Sequence, residues 1–322
     1  MNYKGCMSEH THALRLGTRK SALALKQTEM VCEALRRAHP HLNREGAIEI
    51  VPMETLGDTT QKANLSLADH GGKALWATEH ELAMRAGRVD VAVHSTKDIP
   101  GILDEDMVMP YFLPREDARD VFISSQGNHY RDLPQGAVVG TSSPRRAAMV
   151  LAARPDLEVV TFRGNVGTRL EKIANGVVDA TFLAAAGMLR GGYQENIQNI
   201  LNPDDMLPAV GQGAIGLEFL KSRDDLCAIL EPIHCHETGV RVSAERSWLA
   251  AMGGSCRSPL AAYAEWDENT NELFLRAFAS DLKGTDVKTA SLRQIAKDEE
   301  QAASLGNQLA QQMLADMPDG FI

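Results

Sequence analysis

Several things are scarce in this 322-residue chain. Aromatic residues make up 5% of it, the five cysteines Cys6, Cys32, Cys227, Cys235 and Cys256 are odd in number and scattered, and Lys plus Arg number 33 against 43 Asp plus Glu. The cysteine pattern excludes a disulfide framework and points to a reducing compartment. No stretch reaches the roughly 18 consecutive apolar residues that span a bilayer. The polar segment Met1 to His12 has no apolar core, so the chain is expected to be cytoplasmic and free of membrane. A formal charge of -10 repels nucleic acid phosphates, so nucleic acid is not an expected partner. There is no Walker loop, no His-Glu-x-x-His and no Gly-x-Ser-x-Gly.

What remains is the composition of an ordinary globular protein, 44% hydrophobic and 24% charged, long enough for two or three domains. Periodicity predicts a strand at 14–16, a helix over 21–38 with Ser21 as cap and Pro40 as stop, a strand at 48–53, and a polar loop over 56–72. A helix over 73–86, a break at Gly87 and a strand at 89–94 follow. The same grammar returns as strand 137–140, helix 144–153, strand 158–162, helix 166–175 and strand 177–183. Gly87-Arg88-Val89-Asp90 and Gly176-Val177-Val178-Asp179 hold equivalent places in it. Two related α/β lobes are expected, with a crossover near 110–119. Past about His236 the pattern changes to strands at 261–266 and 272–279 and a helix over 298–317, a smaller α+β domain.

In such folds ligands sit outside the carboxyl ends of the strands. Three turns there open helices with arginine: Gly17-Thr18-Arg19-Lys20-Ser21, Gly140-Thr141-Ser142-Ser143-Pro144-Arg145-Arg146, and Arg163-Gly164-Asn165-Val166-Gly167-Thr168-Arg169. Backbone N–H groups at a positive helix end favour an anion, and arginine grips carboxylates bidentately. Any one such arginine is more often a solvated helix-start residue, but three equivalent turns imply a cleft for a molecule with several carboxylates or phosphates. Asp98, beside Lys97, is the one carboxylate at that edge able to stabilise a developing cation, although aspartates in turns are more often caps. Cys256, on a Gly-rich loop beside Arg257, suits covalent attachment or nucleophilic attack if it is not simply buried. Gly211-Gln212-Gly213-Ala214-Ile215-Gly216 spells a dinucleotide fingerprint without its strand-and-helix context, and chance explains it better. Cys227 and His234-Cys235-His236-Glu237 offer metal-ligand types without zinc spacing, so no metal is expected.

Taken together, Thr18-Arg19, Gly71-Gly72-Lys73, His94-Ser95-Thr96-Lys97-Asp98, Arg115-Glu116-Asp117, Gly140-Thr141-Ser142-Ser143 with Arg145-Arg146, the 163–169 turn, Leu207-Pro208-Ala209-Val210-Gly211-Gln212-Gly213, His236-Glu237-Thr238, Ala244-Glu245-Arg246 and Gly254-Ser255-Cys256 stand in one order. That order resembles the hydroxymethylbilane synthase, or porphobilinogen deaminase, family over nearly the whole chain. The resemblance implies two lobes like periplasmic binding proteins plus a smaller C-terminal α+β domain, with bounds at 13–113 and 214–231, 114–213, and 236–322. It implies a monomeric transferase that condenses four porphobilinogen molecules head to tail, releasing ammonia at each addition, on a dipyrromethane cofactor joined to Cys256 through a thioether.

Residue by residue, the resemblance gives Asp98 the catalytic role. Lys97, Ser95, Thr141, Ser143, Arg145, Arg146 and Arg169 would hold cofactor carboxylates, and Arg19, Ser21, Gln27, Arg163 and Arg169 the substrate and growing chain. Trp76, where the family often has phenylalanine, would lie near the ring stack. The chain departs from the family at Asp69 and Thr78, both usually lysine, at Ala118, usually proline, at Pro144, usually leucine, and at Trp248 and Ser258. Two rivals remain: a noncatalytic polycarboxylate-binding module and, on residues 211–216, an NAD-linked enzyme.

Overall fold

A computed structural model describes residues 13–54, 78–254, 258–318 and 321. The expected loop over 56–72, Asp69, Trp76 and Cys256 lie outside them.

The first sheet has the order β2-β1-β3-β10-β4, built from Leu14–Arg19 (β1), Ile48–Met53 (β2), Val91–Ser95 (β3), Met107–Phe112 (β4) and Ile215–Leu220 (β10). β1 runs parallel to β2 and β3, whereas β10 is antiparallel to β3 and β4. The second sheet, β7-β6-β8-β5-β9, comprises Asp120–Ser124 (β5), Val138–Gly140 (β6), Glu158–Val160 (β7), Ala180–Ala184 (β8) and Asn199–Ile200 (β9). There β6 is parallel to β7 and β8, and β5 is antiparallel to β8 and β9. Two prolines, Pro52 in β2 and Pro110 in β4, sit in edge strands, where a missing N–H breaks no central ladder. Pro110 thus belongs to a strand, and the crossing between sheets begins after it rather than at it.

Helices α1 (Ala22–Ala38) and α2 (Thr78–Arg85) flank the first sheet; α3 (Pro144–Ala153), α4 (Val166–Ala174) and α5 (Ala185–Gly191) flank the second. After a short helix α6 (Cys227–Leu230), α7 (His236–Ala251) and α8 (Glu299–Ala315) pack on the antiparallel sheet β11-β12-β13, made of Leu260–Asp267, Glu272–Ser280 and Val287–Ile295. Ser21 caps α1 as expected, accepting from the Ala24 N–H at 3.3 Å, and Ser143 caps α3. Strand β13 and helix α7 escaped the sequence reading. β13 is a mostly exposed edge strand whose apolar residues do not alternate, and the apolar residues of α7 spread around its circumference instead of forming a stripe.

The repeated Gly-x-Val-Asp phrase does the same job twice. Asp90 Oδ2 accepts from the Arg15 N–H at 2.9 Å and the Asp90 N–H returns to Arg15 O; Asp179 Oδ2 accepts from the Val138 N–H at 2.7 Å and the Asp179 N–H returns to Val138 O. Each aspartate therefore pins the start of a central parallel strand to its neighbour.

Candidate active site

The carboxyl ends of β1, β3 and β6 carry the residues expected to do chemistry. β3 ends at Ser95 and the chain turns through a single 3-10 turn, Thr96–Asp98, which places Lys97 and Asp98 side by side. Asp98 Oδ2 lies 3.7 Å from Arg19 Nη1 at the end of β1, both partly exposed. Ser95 donates to Gln27 Oε1 at 3.0 Å, so the buried Gln27 on α1 braces β3, while the exposed Ser21 is occupied as helix cap.

On the other side, Thr141 Oγ1 accepts from the Ser143 N–H at 3.1 Å and Ser143 Oγ accepts from the Arg146 N–H at 3.4 Å, roles that leave each hydroxyl able to donate. Arg145 and Arg146, only 4% and 6% exposed, both reach Asp120, which is fully buried at the start of β5. Arg145 Nη2 lies 2.8 Å from Asp120 Oδ2 and Arg146 Nη2 2.7 Å from Oδ1; the remaining Nη atoms donate to Leu207 O and Phe182 O. Despite the burial, the two guanidiniums hold the Asp120 carboxyl far below the usual carboxylate range. Arg169, at the start of α4, donates to Gly164 O at 2.8 Å, and Lys172 Nζ donates to Arg163 O at 3.0 Å.

The charges do not balance. Arg145 and Arg146 act on Lys97, Arg146 acts on Arg145 and Arg169, and the carboxylates acting on this group are Asp98 and Asp120. Burial pushes the Lys97 ammonium down to about 8, with Asp98 opposing and Arg146 adding to the fall; burial and then Arg146 push Arg169 down to about 10. The Nε atoms of Arg145 and Arg146 are buried without a hydrogen-bond partner. Clustered cations, two of them buried with unused Nε donors, fit an anion carrying several carboxylates, as a dipyrromethane does.

Two residues that sequence reasoning missed organise this region. Asp120 carries a signal in retrospect, a carboxylate opening the otherwise apolar strand Asp-Val-Phe-Ile-Ser. Gln212 was hidden inside the apparent dinucleotide fingerprint. Residues 211–216 lead into strand β10 and not a helix, which removes the geometry that reading needs. A third support joins the α7 domain to the lobes: Arg115 forms a buried bidentate pair with Glu245 at 2.7 and 3.1 Å, and Glu245 also accepts from the Gly211 and Ala264 N–H groups. His234, near His236 and Glu299, uses Nδ1 to accept from the Phe112 N–H and Nε2 to donate to Glu299 at 2.8 Å, so both ring nitrogens serve packing between domains.

Comparison with known proteins decides the family. The family model described as porphobilinogen deaminase, dipyromethane cofactor binding domain, matches residues 14–228, and that described as porphobilinogen deaminase, C-terminal domain, matches residues 240–315. The chain belongs to the porphobilinogen deaminase family. It is 42% identical over 312 residues to the chloroplastic porphobilinogen deaminase of Pisum sativum, covering 97% of this chain and 84% of the relative. The corresponding protein of Oryza sativa subsp. japonica is 44% identical over 277 residues, 86% of this chain and 77% of that one. Among solved structures, the second substrate binding domain of an amino acid ABC transporter from Streptococcus pneumoniae aligns at a TM-score of 0.43 with 14% identity, covering 69% of this chain and 91% of that one.

Proposed function

We propose that the strand ends carrying Asp98, Lys97 and the arginines are where this chain performs the hydroxymethylbilane synthase reaction of its family. The chain is a transferase that joins four porphobilinogen molecules into the linear tetrapyrrole hydroxymethylbilane, losing ammonia at each addition and taking up one water when the product is released. The observation that carries the site assignment is the surplus of cations, two of them buried, around a single partly exposed carboxylate, Asp98.

Porphobilinogen brings acetate and propionate groups, so Arg19, Arg163 and Arg169 hold its carboxylates, with exposed Ser21 lining the approach and buried Gln27 supporting it through Ser95. As the C–N bond of its aminomethyl group breaks, both electrons leave with nitrogen and positive charge spreads over the pyrrole ring. Asp98 accepts hydrogen bonds from the pyrrole N–H and lies where that charge develops, which lowers the barrier for ammonia loss. Arg19, 3.7 Å away, orients Asp98. Lys97, Ser95, Thr141, Ser143, Arg145, Arg146 and Arg169 would hold the carboxylates of a dipyrromethane tied to Cys256. That group, when bound, supplies the nucleophilic pyrrole carbon and anchors the product chain. Asp120 holds Arg145 and Arg146 in place, so binding does not have to order them.

The return of β10 to the first sheet supports the expected division into 13–113 with 214–231, 114–213 and 236–322. Among the described residues no helix is long and apolar enough to cross a membrane. A monomer in the cytoplasm is the reading adopted, and light scattering at micromolar concentration tests the monomer.

The deciding experiment is the intact mass of denatured protein alongside Cys256→Ser and Asp98→Ala. A thioether survives unfolding, so the expected result is a surplus of two linked pyrrole units that Cys256→Ser lacks. Asp98→Ala is expected to lose condensation by about 100-fold or more while keeping its unfolding midpoint. Near-normal turnover in that variant would remove Asp98 from its role, and wild-type pigment loading in Cys256→Ser would refute the attachment site.

A further inference from the structure

We propose that Gln212 is a positioning residue for the condensation: its side-chain amide fixes the Lys97 ammonium relative to Asp120 and the two arginines that Asp120 holds. The inference rests on the reading of Lys97 as a carboxylate-binding group of the site.

Gln212 is 1% exposed and every polar atom of its side chain has a partner. Nε2 donates to Ala118 O at 2.6 Å and to Asp120 Oδ1 at 2.9 Å, and Oε1 accepts from Lys97 Nζ at 3.3 Å. Lys97 follows a strand of the first sheet and Asp120 opens a strand of the second, so one amide bridges the two lobes. Its orientation is determined by chemistry: a flipped amide would set NH2 against the Lys97 ammonium and its oxygen against a carboxylate and a carbonyl. Only a neutral group with a donor end and an acceptor end satisfies both sides at once.

The backbone holds the amide there. Gly211 (φ +67°) passes so close to Thr96 that a Cβ would lie 2.6 Å from Thr96 Cγ2, and Gly213 (φ +87°) would place one 2.4 Å from Glu116 O. The Gly211 N–H donates to Glu245 Oε2 at 2.7 Å and Gln212 O accepts from Arg115 Nε at 2.9 Å. Glycine on either side is therefore required by close approach and by left-handed backbone, and Gln212 is presented from a frame tied to the turn after β3, the segment entering the second lobe and α7. The charged groups acting on Lys97 are Asp98, Arg146, Asp120 and Arg145, and the amide touches the anchor of both arginines.

The test compares holoenzyme carrying Gln212→Met, which keeps length and loses hydrogen bonding, with Gln212→Glu, which adds a carboxylate beside Lys97. Each is expected to lower kcat for porphobilinogen about tenfold, the worth of one hydrogen bond to a charged group. The distinguishing readout is the pH dependence of Lys97 acylation by acetic anhydride, followed by peptide mass. Losing the acceptor in Gln212→Met shifts it to lower pH, whereas the added anion in Gln212→Glu shifts it to higher pH, by about one unit each. A merely structural role would move both the same way or neither, and either result overturns the proposal. If Gln212→Glu gives no holoenzyme, Gln212→Met alone decides, and a wild-type acylation profile there overturns it. The underlying reading fails separately: Lys97→Met with wild-type turnover would remove Lys97 from the site whatever Gln212 does.

Discussion

The two lobes are built to one plan and charged differently. β2-β1-β3-β10-β4 and β7-β6-β8-β5-β9 correspond strand for strand, down to the aspartates that pin β1 to β3 and β6 to β8. The registers show where they part. Ser95 of β3 faces apolar Ile215 of β10, while its counterpart Ala184 of β8 faces Asp120 of β5. Beyond Ser95 the first lobe makes the short turn bearing Lys97 and Asp98; beyond Ala184 the second lobe enters α5 directly. One lobe thus offers a carboxylate at its strand ends, and the other buries its carboxylate to hold two arginines. A shared backbone frame supplies equivalent positions, and substitution at a few of them gives each side its own half of the chemistry.

Breaking this comparison at its sharpest point means removing Asp120. Asp120→Ala leaves Arg145 and Arg146 buried without their counter-ion, and the second lobe is expected to lose about 3 to 5 kcal/mol of stability, read by hydrogen exchange in β5, β6 and β8. The first lobe, with Ile215 in that place, should be unchanged; equal loosening of both lobes would contradict the assignment.

A smaller effect is expected on the first lobe alone. Glu81 on α2 is buried near fully buried Glu218 and exposed Asp104, and desolvation followed by the Glu218 charge raises its carboxyl to about 7. Its pKa is higher folded than unfolded, so the native state binds the extra proton and stability falls as pH rises from about 4.5 to 7. Glu81→Gln is expected to stabilise the first lobe at pH 8 by about 1 to 3 kcal/mol and to do little at pH 4. Denaturation midpoints at the two pH values check this, and a larger gain at pH 4 would reverse the sign.

The smallest effects sharpen the likeness. Asp90→Ala and Asp179→Ala each remove one carboxylate from a strand N–H, expected to cost about 1 to 2 kcal/mol, with faster exchange at the Arg15 and Val138 amides respectively. Asp90 also binds the Arg15 and Arg223 guanidiniums, so its loss should be the greater. The reverse order would mean that the second lobe depends more on this device.

Much of the frame was readable because local rules carried it. The helix over 22–38, its Ser21 cap, the strand at 48–53 and the repeated Gly-x-Val-Asp phrase are set by periodicity, capping and turn chemistry within a few residues. Strand ends were less certain: β3 is Val91–Ser95 and β8 is Ala180–Ala184, each displaced from expectation because the aspartate before it is spent on strand anchoring. The arginine turns and the Lys97-Asp98 pair were visible as a concentration of cations at helix starts. Their mutual burial was not, since it depends on Asp120 and Gln212, respectively 25 and 66 positions from Arg145 and Arg146.

By itself the sequence determined the α/β grammar, the duplication, the family and the residue types available for binding a polyanion, because these follow from short-range pattern and from motifs in order. Only the tertiary structure decided that β10 returns to the first sheet, that Arg145 and Arg146 share one buried carboxylate, and that Gln212 joins Lys97 to it. Those are contacts between residues far apart in the chain, and their strength comes from exclusion of water, which no local pattern records.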